Sequence, residues 1–257
     1  MLRYYLRKII VCPATYIGAA VLCLSMILSI PTQALAEPAY LFDYVYELGF
    51  STFFLPVAVV LPISYLRQTL RKGSTWQFPI LHSTPLDYTV CGLVAAFISG
   101  VIVLLCSAGL FHLYVILFLK GPVSYNYTLF GTYYFFSRMT PQCGYLIRIG
   151  FRAVAAGMYA LIAFGVSGLS PNQYICAASG FAFRIVLSVL SQTIAQGISE
   201  KYQIVFFALD PGQCDALGYF SATRDGGLIH LTIYLLVIAL LTGGGFYLYV
   251  KRRLIDG

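Results

Sequence analysis

Side chains able to do acid–base or metal chemistry are few and scattered in this chain. His82, His112 and His230 lie far apart, and no acidic residue falls clearly within an apolar run to pair with any of them. The patterns HExxH, GxSxG and GxxxxGKS/T are absent. A hydrolase, kinase or metalloenzyme is therefore disfavoured; no catalytic residue, metal or cofactor is expected. Each histidine reads as a helix-packing or interfacial residue.

The seven cysteines contain no CxxC. Cys12, Cys23, Cys91, Cys106 and Cys176 lie in or beside apolar runs, where cysteine behaves as a small hydrophobe. Cys143 and Cys214 fall in segments read as lying outside the cell, so a disulfide between them is open in an oxidising compartment.

One polar pattern lies inside an apolar segment. Arg184, Ser188, Gln192 and Gln196 recur every four residues and share one helical face, widened by Ser191. A charge near mid-bilayer costs about 2.5 to 3.5 kcal/mol on insertion scales, so such a stripe faces protein or water rather than lipid. It lines either a substrate path or a subunit interface; the plainer alternative is that Arg184 snorkels while the Ser and Gln groups join helices.

The elements that must position these residues are membrane helices. The chain is 60% hydrophobic and 10% charged over 257 residues, far below the roughly 25% charged residues of soluble domains. We expect an all-α, polytopic membrane bundle forming a single transmembrane domain over 1–257, with no connector long enough for a soluble catalytic domain. A net charge of +7 raises the question of nucleic acid, but the basic residues cluster beside apolar runs, which membrane topology explains better.

Six spans are predicted, at 9–30, 50–65, 88–117, 145–166, 174–198 and 228–250. A helix rising 1.5 Å per residue crosses the hydrocarbon core in about 20 residues. The first run is preceded by Arg3, Arg7 and Lys8, and this basic, aromatic opening could lie flat on the inner membrane surface. Ala34-Leu35-Ala36 resembles a signal-peptide cleavage site, but the run exceeds an ordinary h-region and is read as a retained helix. Pro56 and Pro62 are tolerated in the second span if neighbouring helices satisfy the freed carbonyls. The aromatic stretch 118–142 reads as an outer interfacial segment and 167–172 as a tight turn. Arg148 and Arg152 sit badly with an outer position and are read as an interfacial or re-entrant turn.

Nine of the sixteen Lys and Arg residues fall in three clusters: Arg3, Arg7 and Lys8; Arg67, Arg71 and Lys72; and Lys251, Arg252 and Arg253. Both termini and the connector 66–87 are accordingly predicted to be cytoplasmic, in a multi-pass protein of the plasma membrane.

That connector carries the most specific pattern in the chain. Gly73, then Phe78-Pro79-Ile80-Leu81, then Ser83-Thr84-Pro85, then Gly92 follow in order. The segment resembles the first intracellular loop of the ABC-2 family of ATP-binding-cassette transporter permeases. The family's glutamates before the glycine are replaced here by Gln68, Thr69, Arg71 and Lys72, and its later lysine by Leu93, so the charge is inverted. The resemblance implies a permease subunit exporting a peptide, lipid-like or drug-like substrate. It also implies a separate ATPase subunit, a second permease subunit, and a coupling loop that includes Arg67, Gln68, Arg71, Lys72, Gly73, Trp76, Ser83, Thr84 and Pro85. A non-transporting membrane subunit, such as an immunity or sensor component, is the alternative, and an integral-membrane enzyme a more distant one.

Overall fold

A computed structural model of the chain describes residues 2–30, 45, 51–72, 84–119, 141–170, 172–196 and 226–255. Among them there is no strand. The helices are α1 (Leu2–Val11), α2 (Pro13–Leu28), α3 (Ser51–Ala58), α4 (Leu61–Lys72), α5 (Pro85–Tyr114), α6 (Pro141–Leu169), α7 (Gln173–Gln196) and α8 (Gly226–Ile255). A π-helical turn, Val115–Leu119, extends α5.

Proline sets the breaks. The basic opening and the predicted first span are two helices, α1 and α2, bent by 57° at Cys12 and Pro13, so the break falls a few residues after the expected start of the span at residue 9. Pro13 has no N–H to give the Ile9 carbonyl, and the Thr15 hydroxyl donates to that carbonyl instead, at 2.6 Å. The second span is also interrupted: α3 ends at Ala58, and the ladder resumes with Ser64 N–H donating to Val60 O. Pro62 cannot donate to the Ala58 carbonyl, and Gly18 of α2 packs directly against that oxygen, leaving no room for a Cβ. Pro56 O receives Gly180 of α7 in the same way.

Four helical stretches are long and apolar enough to cross a membrane: Pro85–Phe118, Arg152–Leu169, Gln173–Leu190 and Leu235–Arg252. The bent α1–α2 pair makes a fifth, and Phe53–Arg67 is a shorter apolar stretch. The expectation of a membrane helix bundle thus holds in outline.

At the centre, α6 packs along α5 and α8, and α2 lies against α5 and α3. α7 leans on α6, α3 and α4 from outside. The apolar window of α6 is 78% buried and that of α7 only 11%, so α6 is the axis and α7 presents a mainly exposed apolar surface. Small residues permit the close approach. Gly100 of α5 sits on the Ala156 carbonyl, and Gly157 of α6 accepts the Phe97 ring. Hydroxyls within the apolar helices are satisfied locally: Ser25, Ser99 and Ser107 donate to carbonyls three residues back.

α6 begins at Pro141, so Arg148 and Arg152 lie within a continuous helix and not in the interfacial or re-entrant turn that their charge suggested. Arg152 is buried. The turn after α6 is built by Asn172, whose Oδ1 accepts from Tyr174 N–H at 2.9 Å and so caps α7.

Candidate functional site

The inner face of α4 continues through Ile63 and Leu66 to Arg67, all buried. A guanidinium at the end of an apolar face must find donor-accepting groups or return to water. Here Arg67 Nη1 donates to the Tyr88 hydroxyl of α5 at 2.9 Å, and Nε donates to Ser167 Oγ of α6 at 3.1 Å. The cation also lies 4.6 Å from the ring centroid of Phe246 in α8 and 5.8 Å from that of Phe164 in α6. One side chain of α4 thereby touches three further helices, α5, α6 and α8.

The rings form a continuous packing. Phe164 and Phe246 are 4.3 Å apart, Tyr88 stacks on Phe246 at 5.9 Å, and Tyr5 of α1 meets Tyr88 edge-on at 6.0 Å. All four are at most 2% exposed, and Arg67 is 7% exposed. Gly92 makes the space: a Cβ there would stand 2.4 Å from the Phe164 ring tip. The helix-opening glycine of the sequence pattern thus has a packing reason in this chain.

Arg67 has no ion-pair partner among the described residues. Of the nine acidic residues only Asp87 is described, and its carboxylate accepts from Thr84 Oγ1 at 2.7 Å in the exposed cap of α5. Aromatic faces and hydroxyls take the place of a carboxylate, a setting that suits a planar guanidinium better than an ammonium. The arrangement can bind helices together; it holds no nucleophile–base pair and no ligand set for a metal. Among the described residues no three His, Cys, Asp or Glu side chains converge.

The remaining predicted residues are distributed as follows. Arg67 is grouped by sequence with the loop cations, but its side chain points into the bundle and offers no face to a cytosolic partner. Gln68, Arg71 and Lys72 lie on the last turns of α4, so the helix runs into the region predicted as connector. Thr84 caps α5 by accepting from Asp87 N–H at 3.1 Å, and Pro85 is the first helical residue. Gly73, Trp76, Ser83, His82 and Cys214 lie outside the described residues. Cys143 lies on α6 and His230 on α8, while His112 falls in the last turn of α5. On α7, Arg184 sits 5.5 Å from the ring of Phe53 in α3, and its Nη1 is buried without a hydrogen-bond partner among the described residues. Ser188 is half-buried one turn further on, and Ser191, Gln192 and Gln196 follow on the same helix.

The residues that sequence reasoning did not find are Tyr5, Tyr88, Phe164, Ser167 and Phe246. Arg67 bonds to partners 21 and 100 residues away, so no local pattern could announce them.

The chain matches no family model, no curated protein and no solved structure.

Proposed function

We propose that the chain is the transmembrane permease subunit of an ABC-2 type transporter in the plasma membrane. In this reading it pairs with a second permease subunit and exports a peptide, lipid-like or drug-like substrate. A separate ATP-binding-cassette ATPase subunit supplies the energy, and this chain carries no catalytic residue. Beside the resemblance of the connector, one observation carries the reading. The two helices that flank the connector, α4 and α5, are tied to each other and to α6 and α8 through Arg67, Tyr88, Ser167 and Phe246.

The mechanics follow from that tie. A partner that pulls on the connector moves the end of α4 and the start of α5 together. The guanidinium passes the displacement to α6, the axis of the bundle, and to α8. In this reading Arg71 and Lys72, at the end of α4, are the cations that meet the partner, and Arg67 is the inward one that transmits. The Arg184 stripe on α7 is the corresponding candidate for the path or the subunit interface.

The test separates the two roles. In Arg71→Glu/Lys72→Glu, a co-purifying subunit bearing a GxxxxGKS/T sequence should be lost while the chain stays in the membrane. In Arg67→Met that subunit should be retained and its ATP hydrolysis uncoupled from export. Unaltered co-purification in the double reversal, or the absence of such a subunit from the wild-type preparation, overturns the reading.

A further inference from the structure

The exposed side of α1 is cationic and apolar at once. Arg3 and Arg7 are one helical turn apart and both exposed, over a groove of about 750 Å³ lined also by Leu2, Leu6, Ile10 and Val11. The opposite side, Tyr5 and Ile9, is buried against the bundle, so the orientation of α1 is fixed. No Asp or Glu precedes Glu37 in the sequence, and neither arginine meets a carboxylate among the described residues. Lys8 does not line the groove, but its ammonium lies 5.8 Å from the ring of Tyr4, which does.

Ile10 is 50% exposed and Val11 69% exposed beside these charges. Water does not favour the apolar floor, and hydrocarbon does not favour the arginines. The 57° bend at Pro13 lays α1 across the end of α2, whose outward residues Tyr16, Ile17, Leu24 and Leu28 continue the apolar surface from Val11. α1–α2 is itself one of the membrane-crossing candidates, so the groove opens onto a surface that lipid covers.

We propose that this groove seats an anionic phospholipid, with its phosphate between Arg3 and Arg7 and the first segment of an acyl chain on Leu2, Leu6 and Ile10. Charge complementarity selects the headgroup, and the apolar floor continuing onto α2 selects a lipid over a free anion. The site stands whether or not the chain is a permease subunit. An arginine near an anionic headgroup is worth about a fivefold change in affinity, so losing both corresponds to roughly 25-fold.

Native mass spectrometry of the full chain, titrated with phosphatidylglycerol or phosphatidylcholine of matched acyl chains, tests this. Wild type should retain phosphatidylglycerol preferentially, Arg3→Gln/Arg7→Gln should weaken it roughly 25-fold, and Arg3→Lys/Arg7→Lys should keep most of it. Millimolar inorganic phosphate should not displace it. Equal binding of the two lipids, an undiminished preference in the Gln pair, or displacement by phosphate overturns the proposal. A photoactivatable phosphatidylglycerol on the wild-type chain gives a readout independent of variant folding. Label should map to residues 2–11, and label confined elsewhere also overturns it.

Discussion

At the scale of the residue, Arg67 separates two costs that are easily confused. A buried charge with good partners is not itself a large source of stability, because desolvation offsets most of what the partners return. Removing one partner is different, since the charge then remains buried and short of an acceptor. Arg67→Met, which keeps the stem against Phe164 and Phe246, should therefore unfold at a denaturant concentration near or above wild type in detergent. Tyr88→Phe should lower stability by about 1.5–3 kcal/mol, because the lost acceptor served a cation. Ser167→Ala should cost less, since its hydroxyl also donates to the Phe164 carbonyl at 2.6 Å and that carbonyl stands in a helix. In the Arg67→Met background the Tyr88→Phe effect should nearly vanish. Equal costs in the two backgrounds would mean that Tyr88 acts by ring packing alone.

At the scale of the element, glycine and proline decide how closely the helices lie and where they break. Gly100→Ala would place a methyl 2.4 Å from the Ala156 carbonyl oxygen and 2.8 Å from its carbon, both backbone atoms that cannot swing aside. α5 and α6 would have to separate along their contact, and we expect a loss of about 1–3 kcal/mol or more in the same unfolding measurement. Gly109, on the same helix, has nothing within 4 Å of the added Cβ among the described residues, so Gly109→Ala should be neutral or stabilising by up to about 1 kcal/mol. Gly92→Ala falls between these, because its obstacle is the ring tip of Phe164, which can shift only by disturbing the packing around Arg67. A Gly92→Ala variant as stable as wild type would show that the Phe164 ring is not held in place.

The same elements show what sequence could and could not say. Hydropathy located α5, α7 and α8 closely, because an apolar helix in lipid must satisfy its own backbone and so declares its length. It merged α3 with α4, and it placed the break between α1 and α2 a few residues early, because hydropathy does not register a bend. Pro13, Pro56 and Pro62 were the available signals, but a proline fixes only which carbonyl is freed, not how far the axis turns. Arg67 counted by charge as a loop cation, since topology rules weigh a charge by its neighbours in sequence and not by the face it occupies. Its rings come from α1, α5, α6 and α8, and only tertiary packing brings those together.

At the scale of the whole molecule, the Arg67 cluster also fixes which ends of the helices lie level. Tyr5 near the start of α1, Tyr88 near the start of α5 and Phe246 near the end of α8 are stacked in one layer. Arg3, Thr84 and Arg252 must therefore project from the same end of the bundle. Arg3, Arg7, Lys8, Lys251 and Arg252 all gather there, and an excess of Lys and Arg retains an end in the cytoplasm. Single cysteines placed at Arg3, Thr84 and Arg252, with the seven native cysteines replaced, should resist a membrane-impermeant maleimide in intact cells and react in inverted vesicles. A cysteine at Phe118, exposed in the π-helical turn at the far end of α5, should do the reverse. Labelling of all three from outside would keep the layer and invert the molecule, removing the connector from any cytosolic ATPase. Labelling of Arg252 opposite to Thr84 would be incompatible with the Tyr88–Phe246 stack itself, because one aromatic layer cannot open to both sides of a bilayer.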